Sequence, residues 1–230
     1  MNQFPSSYGR LDQAASSAQR NQVLRNTYWL LALSLLPTVL GAWIGVATGI
    51  TAYLGGGPGM IVFLAGAFGF MYAIEKTKDS GAGVAVLLGF TFFMGLWLTP
   101  LLSRILGFSN GGFLIMTAFG GTASVFAVLA SIATVSKRDF SGVASWAFAG
   151  LIVILLASIA NIFLGIPALA IVISVVAIAI FSAYILYDVQ QIVNGGETNY
   201  IRATLSIYLD IYNIFTNLLS LLGIFGGSRD

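Results

Sequence analysis

The stretch RATLSIYLDIYNIFTNLLSLLG, residues 202 to 223, has the length and hydropathy of a membrane-spanning helix but contains an acidic residue near its middle. A helix needs about 20 mainly apolar residues to span a bilayer. Asp210 is the one charged residue between Arg202 and Arg229. An unpaired carboxylate is costly to bury in hydrocarbon, so Asp210 must be neutralised by a partner. Such a residue is a candidate functional site. The pattern predicts a helix inside a bundle rather than one facing lipid.

The composition identifies an integral membrane protein. Hydrophobic residues make up 58% of the chain and charged residues 8%, with a mean hydropathy of +0.93; these values lie outside the range of soluble domains. The chain has no cysteine and no histidine. Disulfides, thiolate or imidazole metal sites and a Ser–His–Asp triad are therefore excluded, and any pH response must use carboxylates. The net charge of +2 indicates basic loops at a membrane surface, not a partner nucleic acid.

Apolar windows divide the chain into an all-α membrane domain of seven transmembrane helices. We expect a cytoplasmic, loosely held polar tail at residues 1–26, a membrane domain at 27–225 and a short C-terminal tail at 226–230. Turn-rich or charged segments separate the windows. The seven windows are 27–49, 58–74, 82–103, 113–135, 143–163, 166–187 and 201–225.

The distribution of lysine and arginine predicts the orientation. Cytoplasmic loops are enriched in these residues. With seven spans and a cytoplasmic N-terminus, eight of the ten basic residues lie inside and two outside, so we expect the N-terminus in the cytoplasm and the C-terminus outside. The inner group is Arg10, Arg20, Arg25, Lys76, Lys78, Lys137, Arg138 and Arg202, and the outer group is Arg104 and Arg229.

The last span has a polar stripe along one face. Its members follow one another at intervals of three or four residues, which places them on the same side of a helix. The opposite face, which includes Tyr208, is largely apolar. We therefore expect the stripe to face a cavity or another polar helix. The stripe consists of Arg202, Ser206, Asp210, Asn213, Asn217 and Ser220.

Asp188, near the end of the sixth span, is the expected partner of Asp210. The two residues lie on consecutive antiparallel helices, and they meet if the sixth helix continues about one turn beyond its apolar run, to about Val193. Two carboxyl groups in a low-dielectric site cannot both ionise cheaply, so they would share a proton and form a pH-sensitive pair. The alternatives are that Asp188 is an ordinary interfacial carboxylate, and that Asp210 is satisfied by Asn213 or a tyrosine hydroxyl or has Lys76 or Arg202 as its counter-ion.

Several motifs resemble the Bax inhibitor family over nearly all of residues 23–225. The paired motifs YDVQ at 187–190 and LSIYLDIYNIF at 205–215 are the most specific. VLRNTYWLLALSL at 23–35 and MYAIEKT at 71–77 look most like the bacterial YccA branch, which modulates the membrane protease FtsH. Other similar motifs are FTFFMGLWLTPLL at 90–102, SKRDFSG at 136–142 and GLIVILLASIANIF at 150–163.

The resemblance implies six helices around a central seventh, in a bacterial inner membrane. It also implies that Asp188 and Asp210 form a pH-sensitive pair that closes a cation path. An arginine that some channel-like members have in the second span is not found at residues 58–74. Lys76 is the candidate substitute.

Two other classes of seven-helix protein fit poorly. A retinal protein needs a lysine within the seventh span, which has none. An intramembrane aspartyl protease places its second aspartate after a GxG sequence that admits the substrate backbone. Here Ile207, Tyr208 and Leu209 precede Asp210, and their bulk would obstruct a substrate strand. We therefore do not expect an enzyme.

Two non-enzymatic functions remain. The first is modulation of FtsH and its associated complex, with the cytoplasmic tail as the segment that the protease grips. The second is a calcium leak through the carboxylate pair. Calcium takes six to eight oxygen ligands, so Asp188 and Asp210 would form only a weak metal site, and no other cofactor is expected. The oligomeric state is left open by the sequence.

Overall fold

The computed structural model describes residues 6–50 and 56–228, and side chains within 17–50 and 58–228. Throughout the described residues the secondary structure is helical, without strands, as the composition predicts. The eight helices are α1 (Ser6–Thr48), α2 (Gly56–Thr77), α3 (Gly81–Trp97), α4 (Thr99–Leu106), α5 (Gly111–Val135), α6 (Ser141–Leu164), α7 (Pro167–Asn194) and α8 (Tyr200–Gly226).

Six of these helices are long and apolar enough to cross a membrane, and α3 with α4 satisfies the same criterion when the bent pair is taken as one span. The two short helices meet at an angle of 41°, with Pro100 in the first turn of α4. Proline lacks the N–H that would continue the hydrogen bonding of α3, which explains the break. The protein is therefore a multi-pass membrane protein.

Hydrogen bonds at the two ends of α8 show that α3 and α4 together run its full length. At the start of α8, the Asn199 side chain donates to the Lys78 carbonyl in the α2–α3 turn over 3.0 Å. At the far end, the Asn110 side chain donates to the Gly226 carbonyl over 2.6 Å. We call the end of the bundle at the start of α8 the basic end; it contains the α2–α3, α5–α6 and α7–α8 turns. The opposite end is the distal end.

Helix α1 differs from the expected loosely held tail followed by a span. It is continuous from Ser6, with 43 residues. At about 1.5 Å per residue it is about 64 Å long, roughly twice the thickness of a hydrocarbon core. The polar segment between residues 10 and 26 contains neither proline nor glycine. The helix of the membrane span can therefore extend toward the N-terminus at little cost in free energy. Residues 1–5 lie outside the described part.

Glycines bring the backbones of α1 and α3 into direct contact. A Cβ atom on Gly41 would meet the Phe92 carbonyl oxygen, and one on Gly95 would meet the carbonyl oxygen of Thr38. Small residues at such positions let membrane helices approach closely, and the gain is dispersion contact rather than hydrophobic burial. This contact fixes α1 against the centre of the bundle.

Helix α8 is central, as the resemblance implies, but it is not surrounded by every other helix. It packs against α1, α2, α3, α4, α5 and α7, whereas the main contact of α6 is with α7. Most large side chains of α6 are exposed, including Trp146 and Phe163. Helix α6 is therefore peripheral, joined to α7 by a tight turn at Gly165, whose φ is +63°.

The α5–α6 turn at the basic end is held by Gln190 of α7. The Gln190 side chain is 4% exposed. Its Oε1 accepts from the Phe140 N–H over 2.8 Å, and its Nε2 donates to the Arg138 carbonyl. One buried amide thus satisfies two backbone groups of a turn that has no regular structure.

We predict that Gln190→Leu lowers the free energy of unfolding by about 1–3 kcal/mol, because it leaves the Phe140 N–H and the Arg138 carbonyl without partners. Thermal unfolding in detergent measures the change. The neighbouring Gln191→Leu is the matched control, and we expect it to have a smaller effect. Equal losses of stability in the two variants would contradict the assigned role of Gln190.

We predict that the basic end is cytoplasmic. Because the chain has no native cysteine, Lys137→Cys at the basic end and Ser109→Cys at the distal end can each be labelled with an impermeant maleimide. In intact cells Ser109→Cys should react and Lys137→Cys should react only after permeabilisation. The reverse pattern would overturn the predicted orientation.

Candidate functional site

Asp188 of α7 and Asp210 of α8 are brought together inside the bundle. Asp210 is 5% exposed, and its side chain interacts directly with that of Asp188. The Asp210 Oδ2 atom is buried without a hydrogen-bond partner among the described residues. Two ionised carboxylates contain no donor and repel each other, so a proton or a cation between them would stabilise this contact.

The length of α7 makes the contact between the two aspartates possible. The apolar run of this helix ends at Tyr187, but the helix continues to Asn194, as the predicted contact requires. Gly195 then adopts a φ of +80°, a conformation that glycine reaches without strain. Asn199 caps α8 by accepting hydrogen bonds from the N–H groups of Ile201 and Arg202. The short turn holds α7 and α8 antiparallel, with Asp188 beside Asp210.

The groups near the pair are acidic or neutral. Tyr184 lies within electrostatic range of both aspartates, and Glu197 lies within range of Asp188. In the part of the chain that the structure describes, no lysine or arginine forms an ion pair with either aspartate. The site therefore lacks a fixed positive charge.

Arg202 and Lys76, the two counter-ions considered from the sequence, contact groups other than the carboxyl pair. Arg202 Nε lies 3.7 Å from Glu75 Oε2 and 3.6 Å from Glu197 Oε2 at the basic end. Lys76 is exposed, with its Nζ 5.6 Å from the centroid of the Tyr72 ring. Arg202 therefore reaches carboxylates at the basic end, whereas Lys76 lies on the exposed surface of α2 beside Tyr72.

The remaining residues of the polar stripe are satisfied mainly within α8. Asn213 Nδ2 donates to the Leu209 carbonyl and Asn217 Nδ2 to the Asn213 carbonyl, each over 2.8 Å. Ser206 is exposed. These residues do share a helix face with Asp210, but their amide groups are bonded to the helix itself.

Sequence reasoning missed a second set of buried polar contacts on α8. Tyr208, assigned to the apolar face, is 1% exposed. Its hydroxyl lies 2.9 Å from Thr38 Oγ1 of α1, and Tyr212 donates to the Met94 carbonyl of α3 over 3.2 Å. The available signal was the spacing of Ser34 and Thr38, four residues apart within an apolar span. These contacts join α8 to α1 and α3.

The described residues provide no ready-made metal centre. They contain no group of three or more Asp, Glu, His or Cys side chains that could hold a metal ion. Asp188 and Asp210 together offer two carboxylates, while calcium takes six to eight oxygen ligands. Water would have to complete the coordination of any calcium ion bound by this pair.

Comparison with known proteins gives a consistent result over almost the whole chain. Residues 20–227 match the family model described as "Inhibitor of apoptosis-promoting Bax1". The chain belongs to the Bax inhibitor family. This confirms the resemblance carried by the paired motifs around Asp188 and Asp210.

Among relatives in this family, the Escherichia coli (strain K12) protein named "Modulator of FtsH protease YccA" is 41% identical over 91% of this chain and 92% of its own length. A membrane protein of Vibrio cholerae is 37% identical over 94% of this chain and 96% of its length. A Pseudomonas aeruginosa protein is 38% identical over 93% of this chain and 94% of its length. The chain is therefore similar to these bacterial proteins from end to end.

Proposed function

We propose that this protein is a non-enzymatic modulator of an FtsH-type membrane protease in a bacterial inner membrane, with its N-terminus in the cytoplasm. The observation that carries the proposal is its 41% identity, over 91% of the chain, with a protein named for that function. The matching protein of a second Escherichia coli strain, O6:H1, is named an inner membrane protein. The membrane bundle and its basic end are compatible with that location.

The shape of α1 supports a role for the N-terminal segment in contact with the protease. The helix is packed against the bundle from about Arg20, whose side-chain carbons approach Gly195, and Val23 is 8% exposed. The helix extends N-terminally from Arg20 as far as Ser6. A protease that pulls on its substrate can grip an accessible terminal segment, while the packed bundle behind it resists unfolding.

The buried surroundings of Asp210 also support a function without catalysis. Ile207 is 0% exposed and Tyr208 is 1% exposed, so the turn before Asp210 is filled by side chains. A peptide substrate would need to displace them to reach the carboxyl pair. An aspartyl protease mechanism is therefore disfavoured by the packing as well as by the sequence.

We predict that deletion of residues 2–16 slows degradation by FtsH several-fold and leaves the bundle folded, because the deletion removes the grip but keeps Arg20 and Val23. The measurement is a chase of the purified, reconstituted protein with FtsH and ATP. The matched control replaces the same 15 residues with a Gly/Ser linker, which should restore degradation if length and accessibility determine the grip. Equal half-lives for full-length and shortened chains would remove this segment from the mechanism.

The contact between Asp188 and Asp210 favours a second function, a pH-sensitive cation leak. We propose that a proton shared by the two carboxyl groups holds α7 against α8, and that loss of this proton makes the groups repel or admit a cation. Calcium is the candidate ion because carboxylate oxygens suit it, and binding by two carboxylates would be weak enough to permit release. This function and protease modulation are compatible.

We predict that calcium flux into liposomes changes steeply with pH for the native protein, and that Asp188→Asn and Asp210→Asn each flatten the pH response because either change removes the coupled titration. The double variant should resemble the single variants rather than the sum of their effects. If both single variants keep the native pH profile, the shared-proton proposal is wrong.

Asp139 provides the matched control for the flux experiment. It lies in the α5–α6 turn, where the Ser141 N–H and hydroxyl donate to its carboxylate. These hydrogen bonds favour the ionised form and hold the pKa of Asp139 below its ordinary value. Any stabilisation from this carboxylate is present above its ordinary pKa and is lost only as the pH falls through the lowered value. Asp139→Asn should therefore keep the native flux profile near neutral pH.

A further inference from the structure

A groove of about 570 Å³ lies on the surface of α1 near the basic end. Its lining residues are spaced three, one, three and one positions apart, which places them on one face of the helix. Aromatic side chains are enriched where helices enter the membrane interface, and two of the five lining residues are aromatic. The lining is Asn21, Leu24, Arg25, Tyr28 and Trp29.

Helix α5 lies next to one residue of this lining, Tyr28. The ring of Tyr28 meets the ring of Phe126 edge-on, with 5.9 Å between centroids, and the Thr134 side chain lies near that of Tyr28. The α1 face therefore lies close to the C-terminal part of α5, where Thr134 is three residues before Lys137.

The charge of the groove is positive and uncompensated. Arg25 is exposed and forms no ion pair within the described residues, in contrast to Lys78 and Arg202, which pair with Glu75. Asp139 in the adjacent turn is already bonded to Ser141. An anionic group that entered the groove would meet the Arg25 guanidinium and no lining carboxylate.

An apolar strip continues from the groove along the same face of α1. Trp29 is 73% exposed, Leu33 44% and Leu36 66%, at spacings of four and three residues. From the basic end inward, the face therefore presents amide and guanidinium groups, then aromatic rings, then aliphatic side chains. A phospholipid has the same order of groups: phosphate, glycerol esters and acyl chains.

We propose that this groove binds one anionic phospholipid. Arg25 and Asn21 bind its phosphodiester through charge-assisted and amide hydrogen bonds, Tyr28 and Trp29 contact the glycerol ester region, and an acyl chain lies along Leu33 and Leu36. A zwitterionic lipid would bind less well, because the lining has no acid to accept its ammonium group. This site is separate from the carboxyl pair and does not depend on either proposed function.

The test is native mass spectrometry of the delipidated full-length protein in detergent, titrated with dioleoyl phosphatidylglycerol or dioleoyl phosphatidylethanolamine. We expect one phosphatidylglycerol to bind more tightly than later ones and than phosphatidylethanolamine. Arg25→Gln should weaken this first binding roughly ten- to a hundredfold, the usual range for losing a hydrogen bond to a charged group. Arg104→Gln, which changes an exposed arginine near the distal end, is the matched control and should bind as the native protein does.

Two further measurements distinguish loss of a lipid site from unfolding and from binding of free phosphate. Thermal unfolding must show that Arg25→Gln is folded, and soluble glycerol phosphate should fail to displace the lipid, because it lacks the acyl chains that contact Leu33 and Leu36. Displacement at concentrations comparable to those of the lipid would identify a free-phosphate site instead. Equal losses in the Arg25 and Arg104 variants, or equal binding of both lipids, would overturn the proposal.

Discussion

The burial of Asp210 in contact with a second carboxyl group, Asp188, is the constraint that the packing of this membrane protein has to accommodate. Asp210 is buried and Asp188 is half-buried, and none of the described lysines or arginines forms an ion pair with either. Such a pair is stable only with a proton or a cation between the oxygens. The shared proton that we propose would link the packing of α7 against α8 to a titration, in a chain that has no histidine.

The rest of the bundle holds these two helices in place by two kinds of contact. Gly41 and Gly95 allow α1 and α3 to touch backbone to backbone, and Tyr208 joins α8 to α1 through Thr38. At the basic end, Gln190 fixes the α5–α6 turn two residues beyond Asp188. A change in the carboxyl pair would therefore act on elements that are already tied to its immediate neighbours.

The proximity of Asp188 and Asp210 could be predicted because the two residues lie on consecutive helices joined by a short turn. The seven crossings and the extension of α7 beyond Tyr187 followed from the same hydropathy and length arguments. Lys76 and Arg202 could not be placed correctly, because spacing along a helix does not show where a long, flexible side chain directs its charge.

Other features depend on tertiary packing that hydropathy does not resolve. Helix α6 is as apolar as a central helix, since lipid and protein interior select similar side chains, so its peripheral position was not predictable. Tyr208 was assigned to an apolar face because its ring is apolar, whereas its hydroxyl finds Thr38 on a helix 170 residues away. The helical state of the N-terminal segment arises from continuation of α1, although its composition is typical of disorder.

The most direct test of the central claim is infrared difference spectroscopy of the calcium-free protein with isotope-labelled aspartate. The account predicts that the native protein at neutral pH shows the C=O stretching band of one protonated aspartic acid, and that the band is lost or shifted in Asp188→Asn and retained in Asp139→Asn. If every aspartate of the native protein is ionised at neutral pH without a bound cation, Asp188 and Asp210 do not share a proton and the account is wrong.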